Sequence, residues 1–454
     1  METLTAKHIY RTLWRWHFYA GIFALPFVMI LSITGTLYLF KPQLDAIHDA
    51  PYRNLDISGP VTQPTQHIAA ALEAVPGARF SAYELPRKPT DAVNILLSDA
   101  GEKIRVYVHP QRLQVLLVEN EDSRFLRVVH DIHGELLLGK FGSIMVELAA
   151  SWAIVLVLTG IYLWWPRNAK GLAGVIYPRL TLQGRLFWRD LHSVVGMWIS
   201  FCVLFLLLSG LPWALVWGSA FKEVRELTGT AAQKQDWVIA GRKDSAENRA
   251  AEHAEHAEHA EHQGHHAHFG SVPEPVDKNS LLNKIVGSAQ ALNFAYPVLV
   301  SPPSLKSPEW SVISNAQNRP LRANAYFSAT TGELVYQQTF SQRHFIDRAV
   351  GIGVAAHEGQ LFGWLNQLLG LLTALGLLAL SVSGFLMWRK RAPQGSLGAP
   401  PVIPETKIGR GFVIIIGAAA VLLPVLGVSL AIIFLLEKWL LAHSASARAW
   451  LGLN

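Results

Sequence analysis

The chain has 454 residues, and only 16% of them are charged, against about 25% in an ordinary soluble protein. With a formal net charge of +6 and a composition this apolar, a disordered chain and a wholly soluble protein are both excluded. The single cysteine, Cys202, excludes an internal disulfide, a cysteine-held iron–sulfur cluster and haem attached through C-x-x-C-H, so any metal centre depends on the 18 histidines.

Five apolar segments are each long enough to cross a bilayer, which takes about 20 residues. They lie at about 18–40, 143–165, 191–217, 361–388 and 411–436. The first segment is too long for the apolar region of a signal peptide and no A-x-A-like cleavage site follows it, so we expect it to persist as a helix. The sequence predicts an all-α transmembrane bundle of five helices.

Lys and Arg residues gather in three short stretches, at 7–15, 167–189 and 389–410. Basic residues near helix ends stay on the cytoplasmic side, so we expect these stretches inside. The two long connections, and the C-terminus after a fifth span, then lie outside, which in a bacterium is the periplasm. This distribution accounts for the positive charge, and no nucleic-acid partner is expected.

Both outer segments have the pattern of small α+β domains. A helix near 66–75 precedes strands near 79–85, 92–97, 104–108 and 115–118, and a helix near 280–292 precedes strands near 296–300, 310–314, 323–327 and 334–338. The predicted division is 1–40 (N-terminus and first span), 41–130 (first outer domain), 131–166 (second span), 167–188 (inner connection), 189–217 (third span), 218–356 (second outer domain with the insert 251–268), 357–388 (fourth span), 389–410 (inner connection), 411–440 (fifth span) and 441–454 (outer tail).

The insert is a low-complexity A-E-H repeat with a period of three, which does not keep one face of an α-helix. One interpretation is a solvated linker. The other is a weak site for Zn²⁺, Cu²⁺ or Ni²⁺, because imidazole suits all three ions. Its histidines are His253, His256, His259, His262, His265, His266 and His268.

Matching spacings indicate an internal duplication. His17 and His192 begin the first and third segments, and each precedes a glycine, Gly35 or Gly210, by 18 positions. His133 and His357, ahead of the second and fourth segments, each precede glycines by 6 and by 27 positions. The chain is therefore predicted to consist of two similar halves, with a fifth span added.

At a rise of about 1.5 Å per residue, His17 and His192 lie near the inner face and His133 and His357 near the outer face. Ionisable residues near the hydrocarbon usually mark function, and two facing imidazoles suit the iron of a non-covalently bound haem. Two haems would carry electrons across the bilayer. The alternative is that each histidine is an interfacial residue bonded to a carbonyl or a headgroup.

Several other residues receive secondary interpretations. Gly21 and Gly196 are expected to leave room for a flat macrocycle, and tryptophans such as Trp14 and Trp198 to wall it. Glu147 is interpreted as a hydrogen-bond acceptor, a proton carrier or an interfacial residue. His130 and His344 are second-choice ligands or substrate-side residues, and the histidines without a repeat partner are predicted to lie on the surface: His8, His48, His67, His109 and His443.

The segments RWHFYAGIFALPFVMILSITGTLYLF, ELAASWAIVLVLTGIYLWWPR, WRDLHSVVGMWISFCVLFLLLSGLPWA and HEGQLFGWLNQLLGLLTALGLLALSVSGFLMW resemble the helices of the PepSY-associated transmembrane family, and the outer segments resemble PepSY domains. The resemblance covers about residues 8–391. The family includes bacterial inner-membrane reductases that bind two b-type haems and reduce ferric siderophores in the periplasm.

The resemblance implies that His17, His192, His133 and His357 are axial ligands of two haem b groups. It also implies a cytoplasmic or quinol electron donor and a periplasmic ferric-siderophore substrate, in a multi-pass protein of the bacterial inner membrane. Two alternatives are a non-enzymatic PepSY protein that binds a peptide or protease, and a protein that handles Cu, Zn or Ni through the insert.

Overall fold

A computed structural model describes residues 2–167, 171–230, 278–304, 307–393, 395–400, 410–439 and 441–453, so the histidines of the insert lie outside the described residues. The described α-helices are, in chain order, α1 (Glu2–Leu39), α2 (Lys41–Asp49), α3 (Pro64–Ala74), α4 (Phe125–Glu135), α5 (Gly139–Trp164), α6 (Gly184–Gly210), α7 (Leu215–Leu227), α8 (Lys278–Ala291), α9 (Phe345–His357), α10 (Trp364–Arg391), α11 (Arg410–Leu422), α12 (Pro424–Trp439) and α13 (Ala445–Leu451). The strands are β1 (Arg79–Glu84), β2 (Val93–Asp99), β3 (Glu102–Val108), β4 (Val115–Asn120), β5 (Val298–Ser301), β6 (Trp310–Ser314), β7 (Ala323–Phe327) and β8 (Leu334–Thr339).

The chain divides into two compact units. The bundle unit consists of Met1–Leu39, His130–Arg242 and Phe362–Asn454. The sheet unit consists of Phe40–Val129 and Lys243–Leu361. Each unit therefore draws on both halves of the predicted duplication.

Four helical segments of the bundle unit are long and apolar enough to cross a membrane: Lys7–Leu39, Gly139–Trp164, Gly184–Trp213 and Trp364–Arg391. Four of the five predicted segments are therefore confirmed as helices able to cross a membrane. A helix of about 20 apolar residues satisfies its own backbone hydrogen bonds in lipid, which is why such sequences fold this way.

The fifth predicted segment consists of two shorter helices, because α11 ends at Leu422 and α12 begins at Pro424. Proline has no backbone N–H and its ring clashes with the preceding turn, so it interrupts a continuous helix. Leu423 and Leu426, at the break, are buried in a cluster that includes Ile154 of α5.

The C-terminal tail packs against the first part of α1. Arg15 donates hydrogen bonds to the carbonyl of Gly452 (3.1 Å) and to that of Pro400, and the Tyr19 hydroxyl donates to the carbonyl of Leu451 (2.6 Å). The prediction that residues 441–454 form an outer tail, opposite the N-terminus, is therefore wrong. The physical reason is the interruption at Pro424, after which the chain returns to the end of the bundle that holds Arg15. We call this end the basic end.

The sheet unit contains one antiparallel sheet of eight strands in the order β4-β3-β2-β1-β5-β6-β7-β8. All eight strands were predicted from the sequence, but as two separate domains. The two sets of four are joined where β1 pairs with β5, with Tyr83 opposite Val300. The duplication is visible in the strand order, which runs outward from β1 and β5 in the same way.

Helices α3 and α8 cover one face of this sheet. Strand residues such as Ile95, Val106 and Val312 are fully buried against helix residues such as Ala71 and Ile285. The alternation of apolar and polar residues along the strands produces this arrangement, since successive side chains point to opposite faces.

His67 and His109 are buried in the sheet unit, so their predicted surface positions are wrong. His67, 1% exposed, donates from Nε2 to the Pro110 carbonyl (3.1 Å), and its Nδ1 accepts from the Tyr83 hydroxyl (3.2 Å). His109, 4% exposed, accepts backbone N–H bonds at Nδ1. Burial lowers the pKa of His67, and the bond to Pro110 offsets only part of that effect.

Candidate functional site

His17 is held by a hydroxyl group on the neighbouring helix α5. Its Nδ1 lies 3.0 Å from Thr159 Oγ1. The Thr159 hydroxyl donates to the Val155 carbonyl at 2.6 Å, so it accepts the bond from His17, whose Nδ1 carries the proton. In this tautomer the Nε2 lone pair is available to a metal.

His192 has the same arrangement against α10. Its Nδ1 lies 3.1 Å from Ser383 Oγ and 3.1 Å from the carbonyl oxygen of Leu380. A carbonyl only accepts, so Nδ1 of His192 is protonated as well. The bond to a fixed partner orients the ring and raises the basicity of Nε2, as it does where a metal-bound histidine donates its other ring N–H to a protein acceptor.

The rings of His17 and His192 lie close together inside the bundle unit. Their centroids are 6.3 Å apart and their planes are nearly perpendicular, at 86°. A metal ion bound by one nitrogen of each of two opposed imidazoles lies about 2 Å from each nitrogen, which puts the ring centroids about 6 Å apart. The observed separation therefore fits two ligands of one metal ion.

Glycines make room for both rings. A Cβ atom at Gly160 would lie 3.2 Å from Cε1 of His17, and a Cβ atom at Gly384 would lie 3.5 Å from Cε1 of His192. The sequence spacing associates each histidine with the glycine 18 positions later on its own segment. The structure instead places each histidine against the glycine that ends the next span, because adjacent antiparallel helices bring opposite ends together.

His133 shows the pattern a third time. Its Nδ1 lies 2.9 Å from Thr34 Oγ1, and a Cβ atom at Gly35 would lie 3.2 Å from its Cε1. His357 is the last residue of α9 and belongs to the sheet unit. The pairing of His133 with His357 stays a prediction.

The hydroxyl residues of this pattern are functional positions that the sequence analysis missed. Thr34, Thr159 and Ser383 each stand directly before the glycine that packs on a histidine. The dipeptide Ser/Thr-Gly near the end of four matched segments was the signal that pointed to them.

The expected role of Gly21 and Gly196, room for a flat macrocycle, stays a prediction. A Cβ atom at Gly21 would meet Leu156 at 3.8 Å, and one at Gly196 would meet Leu380 at 3.5 Å, both ordinary van der Waals distances. Trp198, expected to wall a cofactor, is 62% exposed and donates its indole N–H to the Ile176 carbonyl.

The two second-choice histidines have local roles. His130 is exposed, with Nδ1 3.3 Å from the carboxylate of Asp131 and its ring 5.6 Å from that of Tyr38. His344 is the N-cap of α9, where its Nδ1 accepts the backbone N–H of Ile346. Neither arrangement resembles that of the paired histidines.

Glu147 is a hydrogen-bond acceptor, as one of its interpretations predicted. It is 3% exposed and accepts the backbone N–H groups of Val216 (2.8 Å) and Trp217 (3.0 Å) at the start of α7. A carboxylate at this position satisfies unpaired donors and favours the positive end of the helix dipole.

The helices that are able to span a membrane, together with the antiparallel sheet, define a polytopic membrane protein with a sheet unit inserted between its spans. The sequence model of the family described as the PepSY-associated TM region matches residues 14–391. The match covers most of the chain, which therefore belongs to this family. A search of the curated proteins gave no match.

Proposed function

We propose that the protein is an inner-membrane di-haem reductase that passes electrons from the cytoplasmic side to a ferric siderophore in the periplasm. One observation carries the proposal: two histidines from repeated helices place their rings 6.3 Å apart, each with Nδ1 hydrogen-bonded. Such a pair is the axial ligand set of a bis-histidine haem.

The donor set fits haem better than a bare metal ion. Among the residues that the structure describes, no group of three or more His, Cys, Asp or Glu side chains is placed to hold a metal. A bare ion at His17 and His192 would lack the third and fourth ligands found in zinc sites. Haem brings four nitrogens of its own and needs only axial ligands from the protein; when bound, it accepts and releases single electrons.

His133 and His357 are the proposed ligands of the second haem. The support comes from His133, whose contacts with Thr34 and Gly35 repeat those of His17 with Thr159 and Gly160. Because His133 repeats both the hydroxyl contact and the glycine contact of His17, we propose that its ring is held in the same way and for the same role.

The orientation rests on the basic end. The last turn of α10 is Arg389, Lys390 and Arg391, and Arg391 lies 5.4 Å from the ring of Trp14 near the start of α1. By the positive-inside rule this end faces the cytoplasm. Electrons would then enter near His17 and His192 and leave at the periplasmic face.

A ferric chelate is the proposed acceptor because hard oxygen ligands hold Fe³⁺ far more tightly than Fe²⁺. One-electron reduction therefore releases the iron. The sheet unit would supply the docking surface for the chelate, and we propose no acid–base chemistry for it.

The test is a reduced-minus-oxidised absorption spectrum with haem stoichiometry, measured on the purified full chain. We expect two haems in the wild type and one in His17→Ala, His192→Ala, His133→Ala and His357→Ala. The control His48→Ala, in the sheet unit, should keep both. Two haems in all four ligand variants, or no Soret band in the wild type, would overturn the proposal.

The reductase step needs its own assay. In proteoliposomes with a reductant inside and a ferric hydroxamate outside, the wild type should form Fe²⁺ outside, and the four ligand variants should lose at least tenfold in rate. A wild type that binds two haems but forms no Fe²⁺ would leave the cofactor assignment intact and contradict the reductase activity.

A further inference from the structure

A cavity of about 280 Å³ lies at the basic end of the bundle unit. It is formed by the start of α1, the end of α10, the loop that follows α10 and the C-terminal helix α13. The indoles of Trp14 and Trp450 line it, together with Pro393, Pro400 and Arg391, so its surface is mainly apolar.

The walls of this cavity are tied together by hydrogen bonds. The backbone N–H of Leu397 donates to the carbonyl of Trp450 at 2.8 Å, and the indole N–H of Trp388 donates to the carbonyl of Leu397 at 2.9 Å. Arg15 binds the carbonyls of Pro400 and Gly452. The loop and the tail are therefore built onto α1 and α10 and keep the cavity in place.

Arg391 brings a positive charge to the lining of the cavity. Its guanidinium lies 4.7 Å from the centre of the Phe18 ring and 5.4 Å from that of Trp14, and one terminal nitrogen binds the carbonyl of Gly398. A cation in an otherwise mainly apolar lining favours a ligand that combines an apolar ring with oxygen acceptors.

The cavity is next to the proposed electron entry site. Trp14 stands one helical turn before His17 on α1, and Arg391 stands two turns after Gly384, which packs on His192. A ligand in this cavity is therefore within one or two helical turns of the paired histidines.

We infer that the cavity binds the ring of a membrane quinol, the electron donor of the bundle; this inference rests on the proposed reductase function. A cavity of this size holds one aromatic ring and is smaller than typical pockets for drug-sized ligands, about 300–1,000 Å³. Trp14 and Trp450 are 37% and 49% exposed, and tryptophans of this kind are typical of the membrane interface, where a lipid-soluble quinol has access.

The reaction balances with one donor and two acceptors. Oxidation of the quinol to the quinone breaks its two O–H bonds and releases two electrons and two protons. The protons pass to water at the basic end, and the electrons reduce two Fe³⁺ chelates to Fe²⁺, one electron each. Arg391 is a binding residue here, because its side chain lines the cavity that holds the ring of the quinol or quinone.

The test is photolabelling of the full chain in nanodiscs with an azido-substituted ubiquinone, with ubiquinone-1 as competitor, followed by mapping of the labelled peptides. We expect saturable label on peptides that contain Trp14 or Trp450. Ala449→Phe, which fills the cavity from an exposed position, should reduce the label at least tenfold. The matched variant Ala445→Phe, exposed on the same helix but not in the cavity lining, should leave it unchanged.

A second pair of variants tests the contribution of the Arg391 charge to ligand binding. Arg391→Gln should raise the Kd of ubiquinone-1 about tenfold, whereas Arg389→Gln, at an exposed position outside the lining, should not change it. Label spread over the lipid-facing helices, or label unaffected by Ala449→Phe, overturns the inference. Labelling is measured without turnover, so it is independent of reductase activity. A protein that reduces ferric chelates but shows no label in the cavity would contradict only this inference. A protein that is labelled but contains no haem would contradict only the proposed function.

Discussion

The bundle unit and the sheet unit both contain the internal duplication, but they preserve different features of it. In the bundle, the two copies keep the same chemistry: His17 and His192 each contact a hydroxyl residue and a glycine of the neighbouring span. In the sheet, the two copies keep the backbone. Both sets of four strands run outward in the same order, and the register shifts at the equivalent place, after Tyr107 and after Tyr326.

The side chains on the face of the sheet opposite α3 and α8 have diverged. Arg105 lies opposite Glu119 in the first half, and the equivalent pair in the second half is Asn324 and Gln338. Arg105 is 9% exposed and forms ion pairs of 2.6 Å with Glu84 and Glu121. Burial acts to lower the pKa of Arg105, but the two carboxylates outweigh it and the pKa is raised, so the guanidinium stays charged.

This difference shows which interactions the fold needs and which the site needs. A sheet face is stable with any set of side chains that satisfies the buried polar groups, whether they are charged or neutral. Two histidines that bind one metal ion must each keep the same distance to the metal and the same tautomer. Both copies therefore keep the same contacts to a hydroxyl residue and a glycine. The predictions below test this contrast, starting with the largest effect.

Filling the space beside a ligand should abolish the inner site. Gly160→Leu and Gly384→Leu place side chains where His17 and His192 now lie, so each should lower the haem content of the purified protein from two to one. Gly417→Leu, the same change on α11 in open space, should keep both haems. Retention of two haems in Gly160→Leu would show that the glycine contact is dispensable.

Removing the cation from the charged half of the sheet should destabilise that half. Arg105→Met removes the closest cation from Glu84 and Glu121, at a cost of about 2 kcal/mol, between the values for surface and fully buried pairs. The two carboxylates keep their weaker contacts with Asn94 (3.3 Å) and Arg124 (3.6 Å), respectively. Hydrogen exchange of the β3 amides in the full chain measures this loss. The triple variant with Glu84→Gln and Glu121→Gln should recover most of it, since the second half is built from neutral pairs. An unchanged exchange rate in Arg105→Met would contradict the stabilising role of the network.

Removing the hydroxyl partner should weaken the inner site equally in both halves. Thr159→Val and Ser383→Ala take away the hydroxyl acceptor of the histidine Nδ1–H and leave each histidine one backbone carbonyl, that of Leu156 for His17 and that of Leu380 for His192. Each change should therefore increase the rate of haem loss to apomyoglobin about tenfold. Thr373→Val is the matched control, because Thr373 is equally buried on α10 and its hydroxyl bonds only along its own helix. A slow rate in one variant and a fast rate in the other would mean that the two halves are not equivalent.

Local patterns predicted most of the fold. All eight strands and the helices α3 and α8 follow from apolar periodicity and turn residues, and four spans follow from apolar length. The joining of β1 to β5 was not predictable, since no local pattern tells a strand which distant strand it pairs with. The fifth segment is long enough for a span, but Pro424 interrupts the helix, and apolar length alone did not predict this break.

For the candidate site, the positions of the histidines along the apolar segments predicted the depth of each one in the bilayer. They did not predict which residues of another helix contact it. Thr159 and Gly160 contact His17 only because α1 and α5 are adjacent, which is a property of the packed bundle. The same reason explains why the buried position of His67 was missed. Its place on the covered face of α3 depends on the sheet against which α3 packs.

His67 makes the sheet unit sensitive to pH, and the other half offers the comparison. The covering helix α8 buries apolar residues such as Leu281 and Ile285 where α3 buries His67. Burial lowers the pKa of His67 in the folded state below the value of about 6.5 in the unfolded chain. As the pH falls below about 6.5, the unfolded state therefore binds protons first. The contribution of His67 to the free energy of unfolding is complete above that pH. It is lost on acidification, by at most about 1.4 kcal/mol per pH unit, until the pKa of the folded state is reached.

Hydrogen exchange of the β1 amides at pH 5 to 8, corrected for intrinsic rates, should show this loss on the acid side in the wild type. In His67→Gln the slope should be smaller, because the variant has no group at this position that binds a proton. If the amide protection of His67→Gln and of the wild type falls in parallel on acidification, other groups cause the acid sensitivity. The two halves of the sheet would then differ only in their charge pairs.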